Sequence, residues 1–576
     1  PSFSSMTNGM GTTLSLNGLP DDYFIFLENG KRLYGDDTYA RINVAKIKRI
    51  EILNGASSAL YGTNAIGGVI NIITDDVKNA INVSSDTRYA SKGRFTQSVN
   101  IDVNTGKFGS YTSYRRQQAE GWQLNPYEEN SKTHELEETG KVASTGFYAN
   151  TVNQKFTFDA TDKLSFYARG GYYDNKTRRP YEAYDYNILH ETFNYGIGAQ
   201  YMINKGNYIT ADCYADHFSS SYCFFKDNKT YNGKAGEEQV RKRTRNHNLS
   251  IKGIFKLGNR HKLSVGTEYI VDVLKSQTDN IAKEDAYTLA LFAQDEIKLL
   301  RNLQALIGVR YIYHENFKNH ATPNVALMYK PGKFNFRASY AAGFRTPTLS
   351  ELYATDIAKK NDRLTIGNLD LKPEKNNYFS LSAEYVHERF SVSVNAFYNN
   401  IRDMIDYNTI ATGDKAMEQY GHKEVRQRDN IAEAKVHGIN VSANAYLGAG
   451  FNLSGGYTHL NTQDVELEQP IDKSIKNAYN INAQWAHSWK IYRLNINLNG
   501  RINSKRFSKS YGYAPEYQLW DLNTRHSFNL KSVIIEPGCG MENLFDYMDD
   551  RPYNSNYATL TPGRSFYISL SLKFKS

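Results

Sequence analysis

The chain has 576 residues, a formal net charge of +9 and many aromatic side chains, with 44 Tyr and 28 Phe against 13 Pro. The charge is spread along the chain without a basic block, which argues against nucleic-acid binding, and three cysteines are too few for a disulfide framework. No run of 18 apolar residues is present, so we expect no transmembrane helix, whereas the alternating strands of a membrane barrel would cancel in a hydropathy average.

The first unit, residues 1–78, is compact and rich in glycine. Asn29-Gly30 lies between two strand-like segments and predicts a tight hairpin turn. Residues 47–74 (IKRIEILNGASSALYGTNAIGGVINIIT) predict a strand, a turn of small residues that opens at Gly55, and a second strand. A unit of this size seldom buries enough surface to be stable alone.

Glycines punctuate this second segment at Gly55, Gly62, Gly67 and Gly68, and Tyr61 precedes Gly62. Glycine suits backbone positions that need a positive φ or the close approach of another segment. We therefore expect these five residues to have a structural or gating role.

From residue 79 to 576 the chain is a succession of strands in which apolar and polar side chains alternate. The last strand is the clearest, with an apolar face formed by Phe566, Ile568, Leu570, Leu572 and Phe574. Many strands exceed the nine residues that cross a bilayer, and short turns alternate with long polar loops, among them 226–247 and 403–435. The remaining length accommodates about 22 strands at about 22 residues per strand and turn.

This pattern predicts an all-β membrane protein, a 22-stranded antiparallel transmembrane β-barrel. The lumen of such a barrel is too wide to be filled by its lining side chains, so we expect the first unit to be a plug domain inside it. Cys213 and Cys223 fall in one predicted strand, about 33 Å apart, and this distance excludes a disulfide between them.

Ordered motifs along the whole chain resemble those of one family, the TonB-dependent outer-membrane receptors. Residues 47–74 are similar to the distal end of the family's plug. The other matching segments are 16–20 (LNGLP), 27–33 (LENGKRL), 291–297 (LFAQDEI), 341–353 (AAGFRTPTLSELY), 367–374 (GNLDLKPE), 542–546 (ENLFD) and the C-terminal strand. By this resemblance Pro1 falls inside the plug, so we expect a plug that is incomplete at its N-terminus and a chain without the energy-coupling box.

The resemblance implies energy-coupled import across the bacterial outer membrane, without ATP and without enzymatic activity. An α/β plug closes the barrel in this family, and TonB moves it through a segment that is absent from this chain. The expected ligand is the transported metal chelate, with no intrinsic cofactor and no resident metal. The implied partners are TonB, outer-membrane lipid and lipopolysaccharide, but no nucleic acid. The composition also resembles Bacteroidota receptors, some of which work with a surface-exposed lipoprotein.

The family carries ferric siderophores, haem, cobalamin or, in much larger proteins, glycans. Residues 344–347 (FRTP) and 368–371 (NLDL) resemble two boxes of haem receptors, but no histidine lies between them or within residues 1–80. Haem iron takes an axial His or Tyr in proteins, so capture by paired histidines is disfavoured.

Calcium-assisted binding of cobalamin would require several carboxylates in one loop. Asp212 with Asp216 is one possible set, and Asp546 with Asp549 and Asp550 is another. Neither set has a convincing spacing.

The candidate ligand-binding residues are arginines, tyrosines and aspartates at predicted loop positions. They are Tyr34, Asp36, Asp37, Tyr39, Arg178, Arg179, Arg345, Tyr353 and Arg363, and residues 241–243 (RKR) add charge in a predicted long loop. Guanidinium groups and aromatic rings suit an anionic, catecholate-type iron complex through charge and cation–π contact. The alternative is that the loop charges are only solvated, and that Asp36 and Asp37 either bind a neutral ligand such as cobalamin or form a turn.

The sequence therefore predicts the import of a scarce metal chelate, with a ferric siderophore first and haem second. Cobalamin uptake is the alternative cargo. A passive porin or a surface-binding barrel is the alternative of another class, and such proteins would lack the plug segment 47–74.

Overall fold

The computed structural model of the chain is a closed barrel of strands around a small sheet domain. It describes residues 2–5, 12–35, 38–42, 47–55, 62, 65–74, 80–123, 127–130, 132–138, 142, 144–182, 184–358, 362–508, 512–548 and 561–575. Within these ranges no helix has both the length and the apolar character needed to cross a membrane.

Four short strands form the sheet at the centre of the plug. The plug elements are β1 Ser2–Ser5, β2 Thr12–Ser15, a 3-10 helix Asp21–Tyr23, β3 Phe24–Glu28, β4 Lys31–Arg32, β5 Ile47–Asn54 and β6 Gly68–Thr74. The sheet has the order β4-β3-β6-β5, in which β3 and β6 are parallel, and β1 pairs with β2 separately. The predicted hairpin turn is confirmed at Asn29 and Gly30, both in the left-handed region with φ values of 51° and 77°.

The glycines of the plug lie at backbone positions that a residue with a side chain could not easily occupy. Positive φ angles of 80°, 86° and 141° occur at Gly55, Gly62 and Gly68. A Cβ at Gly68 would lie 2.3 Å from the carbonyl oxygen of Leu53, and one at Gly67 would lie 3.1 Å from that of Tyr23. The expectation of positive φ or close approach is therefore confirmed at these four positions, whereas Tyr61 lies outside the described residues.

The rest of the chain consists almost entirely of strands. In chain order they are β7 Ile81–Ala90, β8 Arg94–Asn104, β9 Phe108–Ala119, β10 Tyr127–Glu129, β11 Leu136–Glu138, β12 Gly146–Asp159, β13 Leu164–Arg178, β14 Tyr186–Asn204, β15 Asn207–Phe224, β16 Glu238–Leu257, β17 His261–Ser276, β18 Ile281–Leu300, β19 Leu303–His314, β20 Lys318–Tyr329, β21 Phe334–Arg345, β22 Thr355–Ala358, β23 Arg363–Ile366, β24 Glu374–Val386, β25 Phe390–Thr412, β26 Glu424–Gly448, β27 Phe451–Asp464, β28 Asn477–Trp489, β29 Tyr492–Asn503, β30 Arg506–Ser508, β31 Gly512–Ala514, β32 Tyr517–Leu530, β33 Val533–Glu542 and β34 Ser565–Lys575. Two short helices, α1 Leu349–Tyr353 and α2 Gly413–Tyr420, lie in connections between strands.

A closed antiparallel barrel of 22 strands results, as predicted. The short strands β10, β11, β22, β23, β30 and β31 belong to the connections and do not cross the barrel. Closure occurs where β34 pairs with β7, from Tyr567 opposite Ala90 to Lys575 opposite Asn82. Cys213 and Cys223 lie on the single strand β15, and both are free thiols, as the predicted distance requires.

The two rims of the barrel differ in their connections. The turns at one rim are short, for example residues 205–206 and 301–302, and β7 begins and β34 ends at this rim. The other rim carries long connections, for example residues 120–145 and 346–373. Short turns face the periplasm and long loops face the outside in outer-membrane barrels, so this difference sets the orientation.

Two of the predicted long loops are shorter than expected. β16 already begins at Glu238, so residues 241–243 lie in a strand, and β25 and β26 extend as far as Thr412 and Glu424. The prediction was wrong here because these strand ends lack a regular alternation of apolar and polar side chains. A strand that projects beyond the bilayer has no apolar face to reveal it in the sequence.

The plug contacts the wall in two different ways. On one side an apolar core joins Leu19, Tyr23 and Ile66 of the plug to wall residues that include Phe397 and Ile401. On the other side, ion pairs connect the plug to β13 and β15. They are Lys31–Asp212 at 2.6 Å, Arg41–Asp216 at 3.1 Å and Glu28–Arg169 at 3.4 Å. Because these contacts reach strands on both sides of the barrel, the plug lies inside the lumen.

Candidate ligand-binding site

An aromatic and cationic group of side chains lines the long-loop rim at β13–β16. We call it the mouth cluster, and its members are Arg179, Tyr184, Tyr186, Tyr222, Tyr231 and Arg241. Tyr222 faces the lumen because it alternates in step with Asp212 and Asp216 on β15, whose carboxylates contact the plug. The cluster therefore lies at the entrance above the plug.

The tyrosine rings of the cluster pack against one another. The ring centroids of Tyr186 and Tyr222 are 4.0 Å apart and stacked, and Tyr231 stands at a steep angle to both at 5.7 and 5.2 Å. Burial, reinforced by the neighbouring Tyr186, raises the pKa of Tyr231. Its phenol is therefore protonated at neutral pH and can donate a hydrogen bond to an anionic oxygen.

Two guanidinium groups lie over these rings. The guanidinium carbon of Arg179 is 3.5 Å from the ring centroid of Tyr184 and 5.0 Å from that of Tyr186. The corresponding carbon of Arg241 is 5.3 Å from Tyr222 and 5.0 Å from Tyr231. Such contacts fix the cations in place without neutralising their charge.

A β-bulge directs Arg241 toward the cluster. Lys242 pairs with Ser220 and Val240 with Ser221, so Arg241 is the extra residue in β16. A bulge leaves one residue outside the ladder and re-aims its side chain. Its Nη1 donates to Gln277 at 2.9 Å, while its buried Nε has no acceptor among the described residues.

A second cationic group lies farther round the rim on β25 and β26. The guanidinium carbons of Arg426 and Arg428 are 4.7 and 3.7 Å from the ring centroid of Tyr407. Arg426 also lies 3.5 Å from Glu424, and the two groups form an ion pair. The compensating carboxylate makes this group a weaker anion site than the mouth cluster.

Arg345, one of the predicted binding residues, is only 3% exposed, and both of its terminal nitrogens bond to carboxylates of the protein. It donates to Glu351 at 3.0 Å through both Nη1 and Nη2, and Nη2 also donates to Glu374 at 2.5 Å. Glu374 accepts further hydrogen bonds from the Tyr23 hydroxyl at 3.2 Å and the Ile405 amide at 2.9 Å. The structure thus places Arg345 between plug and wall, away from the entrance.

The other predicted wall residues are dispersed. Arg178 is exposed at the end of β13, and Arg179 is the next residue, just outside the strand; only Arg179 joins the mouth cluster. Tyr353 ends α1, where burial raises its pKa. Arg363 opens β23, opposite Glu424 in a parallel pairing with β26.

The predicted plug residues are packed beneath the entrance. The ring of Tyr39 lies 6.2 Å from that of Phe26 and packs against the plug core. Tyr34 has a buried hydroxyl, and its amide donates to Asp216 at 3.0 Å. Asp36 and Asp37 lie outside the described residues.

The described residues include no group of three or more His, Cys, Asp and Glu side chains that could hold a metal ion. Asp212 and Asp216, considered for calcium, contact Lys31 and Arg41 of the plug instead. Asp549 and Asp550 of the other set lie outside the described part of the chain.

Two histidines, missed in the sequence, lie near the same rim on β19 and β20. His314 is 6% exposed, and its Nδ1 accepts from the Asn316 amide at 3.1 Å. His320 Nε2 lies 3.0 Å from the Phe317 carbonyl oxygen. These bonds stabilise the turn between the two strands and occupy a ring nitrogen of each histidine.

Four tyrosines of the mouth cluster were also missed by sequence reasoning. The abundance of Tyr near Arg was a signal, but Tyr186, Tyr222 and Tyr231 belong to different elements. Only the cross-strand register of β14 and β15 and the loop between β15 and β16 bring them together.

Two family models match the chain. The model described as TonB dependent receptor-like, beta-barrel, matches residues 95–536, and the TonB-dependent Receptor Plug Domain matches residues 1–69.

Solved structures of similar fold include three iron-related outer-membrane proteins. The ferric enterobactin receptor of Pseudomonas aeruginosa is 16% identical with a TM-score of 0.83, and the comparison covers 100% of this chain and 94% of that one. The siderophore receptor PirA of Acinetobacter baumannii is 16% identical with a TM-score of 0.79, over 99% and 94% of the two chains. The FrpB iron transporter of Neisseria meningitidis is 14% identical with a TM-score of 0.77, over 100% and 95%. At these identities the likeness shows a shared fold.

Proposed function

The chain belongs to the TonB-dependent receptor family, and we propose that it imports an anionic, aromatic iron chelate, a ferric siderophore of the catecholate type. Proteins of this family lie in the bacterial outer membrane, act with TonB and are not enzymes. The transported chelate is the ligand of such a receptor.

The mouth cluster is the observation that carries this proposal. Two guanidinium groups, held by Arg179 and Arg241, offer charge-assisted hydrogen bonds to anionic oxygens. The surrounding tyrosine rings offer flat surfaces for aromatic groups. The fold shared with a ferric enterobactin receptor and a siderophore receptor agrees with an iron chelate as cargo.

The other cargoes have less support. Haem capture by paired histidines is disfavoured, because the mouth cluster contains no histidine. Calcium-assisted cobalamin binding would need free carboxylates, but Asp212 and Asp216 pair with plug cations. A passive porin would have an open lumen, whereas here the plug is packed against the wall on two sides.

A titration of the purified receptor with iron(III) tris-catecholate tests the cargo. We expect the double substitution Arg179→Ala/Arg241→Ala to weaken binding by at least about 5-fold, because each cation contributes about 0.5–2 kcal/mol. Arg178→Ala is the matched control, since Arg178 is the next residue and lies outside the cluster. Equal affinities of the double variant and the wild type would contradict the proposal.

Growth of a deletion strain tests the identity of the cargo independently. With the ferric siderophore as sole iron source, we expect the deletion strain to fail and the complemented strain to grow. Normal growth of the deletion strain, together with loss of cobalamin-dependent growth, would favour the alternative cargo.

Outer-leaflet lipopolysaccharide is a second partner that we propose. Arg243 and Arg245 are exposed on the outer face of β16, above the apolar Leu249 and Ile251. Lys275 lies directly opposite Arg243, and two like charges in this position are destabilising unless an anion separates them. A lipid phosphate between Arg243 and Lys275 would relieve this repulsion. A surface lipoprotein stays a prediction.

Co-purified lipopolysaccharide, measured by mass spectrometry, tests this contact. Arg243→Glu/Arg245→Glu should lower the retained amount several-fold, and unchanged retention would rule the contact out.

A further inference from the structure

A groove of about 540 Å³ lies across strands β12 to β16 of the barrel wall. We call it the outer groove. On β15 its lining residues Ala211 and Cys213 alternate with Asp212, whose carboxylate contacts Lys31 of the plug inside the lumen. Successive side chains of a strand point to opposite faces of the sheet. The outer groove therefore faces away from the lumen and is open to the membrane.

Small side chains form the floor of the outer groove. Ala199 of β14 lies opposite Ala211 of β15, and Ala168 and Cys213 lie in the neighbouring row of the same face. Large apolar side chains, all of them exposed, stand around this floor, namely Phe156, Phe158, Phe166, Ile197 and Leu249. The groove is thus a dry depression with raised sides, of a volume within the usual range of ligand sites, about 300–1,000 Å³.

The wall elsewhere presents larger side chains to the membrane. On β19 the successive outward positions are Ile307, Val309 and Tyr311, and all three side chains are exposed. Each of them stands well above the backbone of its strand. The row of alanines on β13, β14 and β15 is therefore a local feature of this part of the barrel and not a general property of its outer face.

The height of the outer groove places it in the periplasmic half of the bilayer. Ala211 lies four residues beyond Asn207, where β15 begins, and Ala199 lies five residues before Asn204, where β14 ends. With a rise of about 3.4 Å per residue and a strand tilt of about 35–45°, these alanines are about 10–13 Å above the short-turn rim. Half of the hydrocarbon core measures about 15 Å. The chains of the periplasmic leaflet therefore reach the floor of the groove.

The rim below the outer groove has the chemistry of a lipid headgroup contact. The two short turns there, between β12 and β13 and between β14 and β15, each carry an exposed lysine, Lys163 and Lys205. Asp162 is the one carboxylate in these two turns, and Asp159 ends β12 on the face that alternates with Phe158. Above Lys205 the exposed ring of Tyr201 lies on the outward face of β14. Tyrosine suits the membrane interface, and lysine near the surface attracts lipid phosphate.

We propose that the outer groove binds an acyl chain of one phospholipid of the periplasmic leaflet, whose phosphate lies at Lys163 and Lys205. The chain fills the depression over the alanine floor, and the headgroup stays at the rim beside Tyr201. Arg243 and Arg245, the proposed lipopolysaccharide contact, lie toward the other end of β16, so the two lipid contacts belong to opposite leaflets. The inference is independent of the transported cargo.

A natural thiol in the floor reports whether the outer groove is filled. Cys213 is free and exposed, and its matched control is Cys539, which is also free and exposed and lies opposite the outward Ile568. Each of the two cysteines lies six residues beyond the first residue of its strand. The purified receptor in detergent is treated with N-ethylmaleimide, with and without dioleoylphosphatidylglycerol, and labelled peptides are counted by mass spectrometry. At a saturating level of the phospholipid we expect labelling of Cys213 to slow at least about 5-fold and that of Cys539 to change little.

Charge reversal at the rim tests the headgroup contact. Lys163→Glu/Lys205→Glu should remove most of the protection of Cys213, whereas Arg301→Glu/Lys330→Glu, which reverses two exposed charges in other turns of the same rim, should leave it intact. Heat-modifiable migration on gels checks that each variant is folded. Protection that is the same in both variants would contradict the placement of the phosphate.

Filling the floor gives a second readout, the phospholipid retained per receptor in native mass spectrometry. Ala199→Leu/Ala211→Leu should lower the retained amount several-fold, and Ala383→Leu/Ala443→Leu, at two exposed alanines on the outer face of β24 and β26, should not. Equal slowing of both thiols, or no slowing of Cys213, would overturn the site. Protection by lipopolysaccharide instead of the phospholipid would overturn its assignment to the periplasmic leaflet, and protection that rises with receptor concentration without lipid would identify a second copy of the chain as the occupant.

Discussion

Arg345 shows how one side chain can join three parts of the receptor. Its guanidinium bonds Glu351 of α1 and Glu374 of β24, and Glu374 in turn accepts a bond from Tyr23 of the plug. Glu374 is fully buried. The cation therefore compensates carboxylates that could not remain charged there without it.

We predict that Arg345→Ala destabilises the receptor by about 3–5 kcal/mol, the usual loss when one partner of a buried ion pair is removed. Arg178→Ala, at an exposed position, should change stability by less than about 0.5 kcal/mol. Thermal unfolding of the two purified variants compares them directly. Similar midpoints for both would show that the network is dispensable.

The Glu351 carboxylate adds a pH dependence to this network. Burial alone would raise its pKa, but the charge of Arg345 and hydrogen bonds from Arg345 and Thr348 outweigh burial and lower it. With a folded pKa below the unfolded value of about 4.3, Glu351 stabilises the fold above that pH. This contribution is lost as the pH falls through the folded pKa.

The difference in thermal midpoint between wild type and Glu351→Gln should therefore be largest near neutral pH and shrink below about pH 4. Calorimetry at a series of pH values measures it. A difference that grows on acidification would have the wrong sign for this mechanism.

The predicted arginines illustrate the limit of sequence reasoning for single residues. Arg178 and Arg179 are adjacent and equally cationic, but only Arg179 joins the mouth cluster. The face of a strand residue depends on register, and a shift of one position exchanges the two faces. Register is set by neighbouring strands, which the local sequence does not show.

Among the elements, the β3–β4 hairpin and the segment after it are the part of the plug that ion pairs connect to the wall. Asp216 of β15 binds two groups of the plug segment that follows β4. They are the Arg41 guanidinium at 3.1 Å and the Tyr34 amide at 3.0 Å. Both charged groups of this pair are almost completely buried. Asp216 therefore contributes two of the contacts on the polar side of the plug, beside the Lys31–Asp212 and Glu28–Arg169 pairs.

We predict that Asp216→Asn loosens the plug on this side, because it leaves the buried Arg41 without a counter-charge, at a loss of about 3–5 kcal/mol. Cells that produce the variant should become several-fold more sensitive to large antibiotics that normally do not cross the outer membrane. Asp285→Asn, which alters an exposed carboxylate on β18, is the control. Unchanged sensitivity of the Asp216→Asn strain would show that the remaining contacts hold the plug without the Arg41–Asp216 pair.

Elements were predictable where local geometry determined them. The strands β5 and β6 and the glycines beside them could be predicted, because Gly55, Gly62 and Gly68 have φ angles that other residues avoid. The bulge at Arg241 could not, since it exists only relative to β15. The polar upper ends of β16, β25 and β26 were read as loops for a similar reason, because no apolar face marks them.

At the scale of the whole molecule, the plug closes the lumen below the mouth cluster. The mouth cluster places Arg179 and Arg241 on aromatic rings above the plug. The plug contacts the wall through an apolar side and an ion-paired side. This arrangement suits capture of an anion at the entrance, above a barrier that has to move before the ligand can pass.

The barrel and its plug could be predicted because period-two alternation and ordered motifs extend along the whole chain. The sequence supports the choice of cargo less strongly than it supports the fold. The residues that we propose to bind the cargo come from separate strands and loops. They form one aromatic and cationic group only when the register brings Tyr186, Tyr222 and Arg241 together.

Energy-dependent uptake of radioactive iron measures the central claim most directly. Cells that lack other iron receptors and produce the full-length receptor would be given iron-55 as a catecholate chelate, with and without an uncoupler of the proton-motive force. We predict rapid uptake that the uncoupler abolishes and that Arg179→Ala/Arg241→Ala reduces at least about 5-fold at limiting chelate. Uptake that persists in the presence of the uncoupler, or that is the same in the double variant, would contradict energy-coupled import through the mouth cluster.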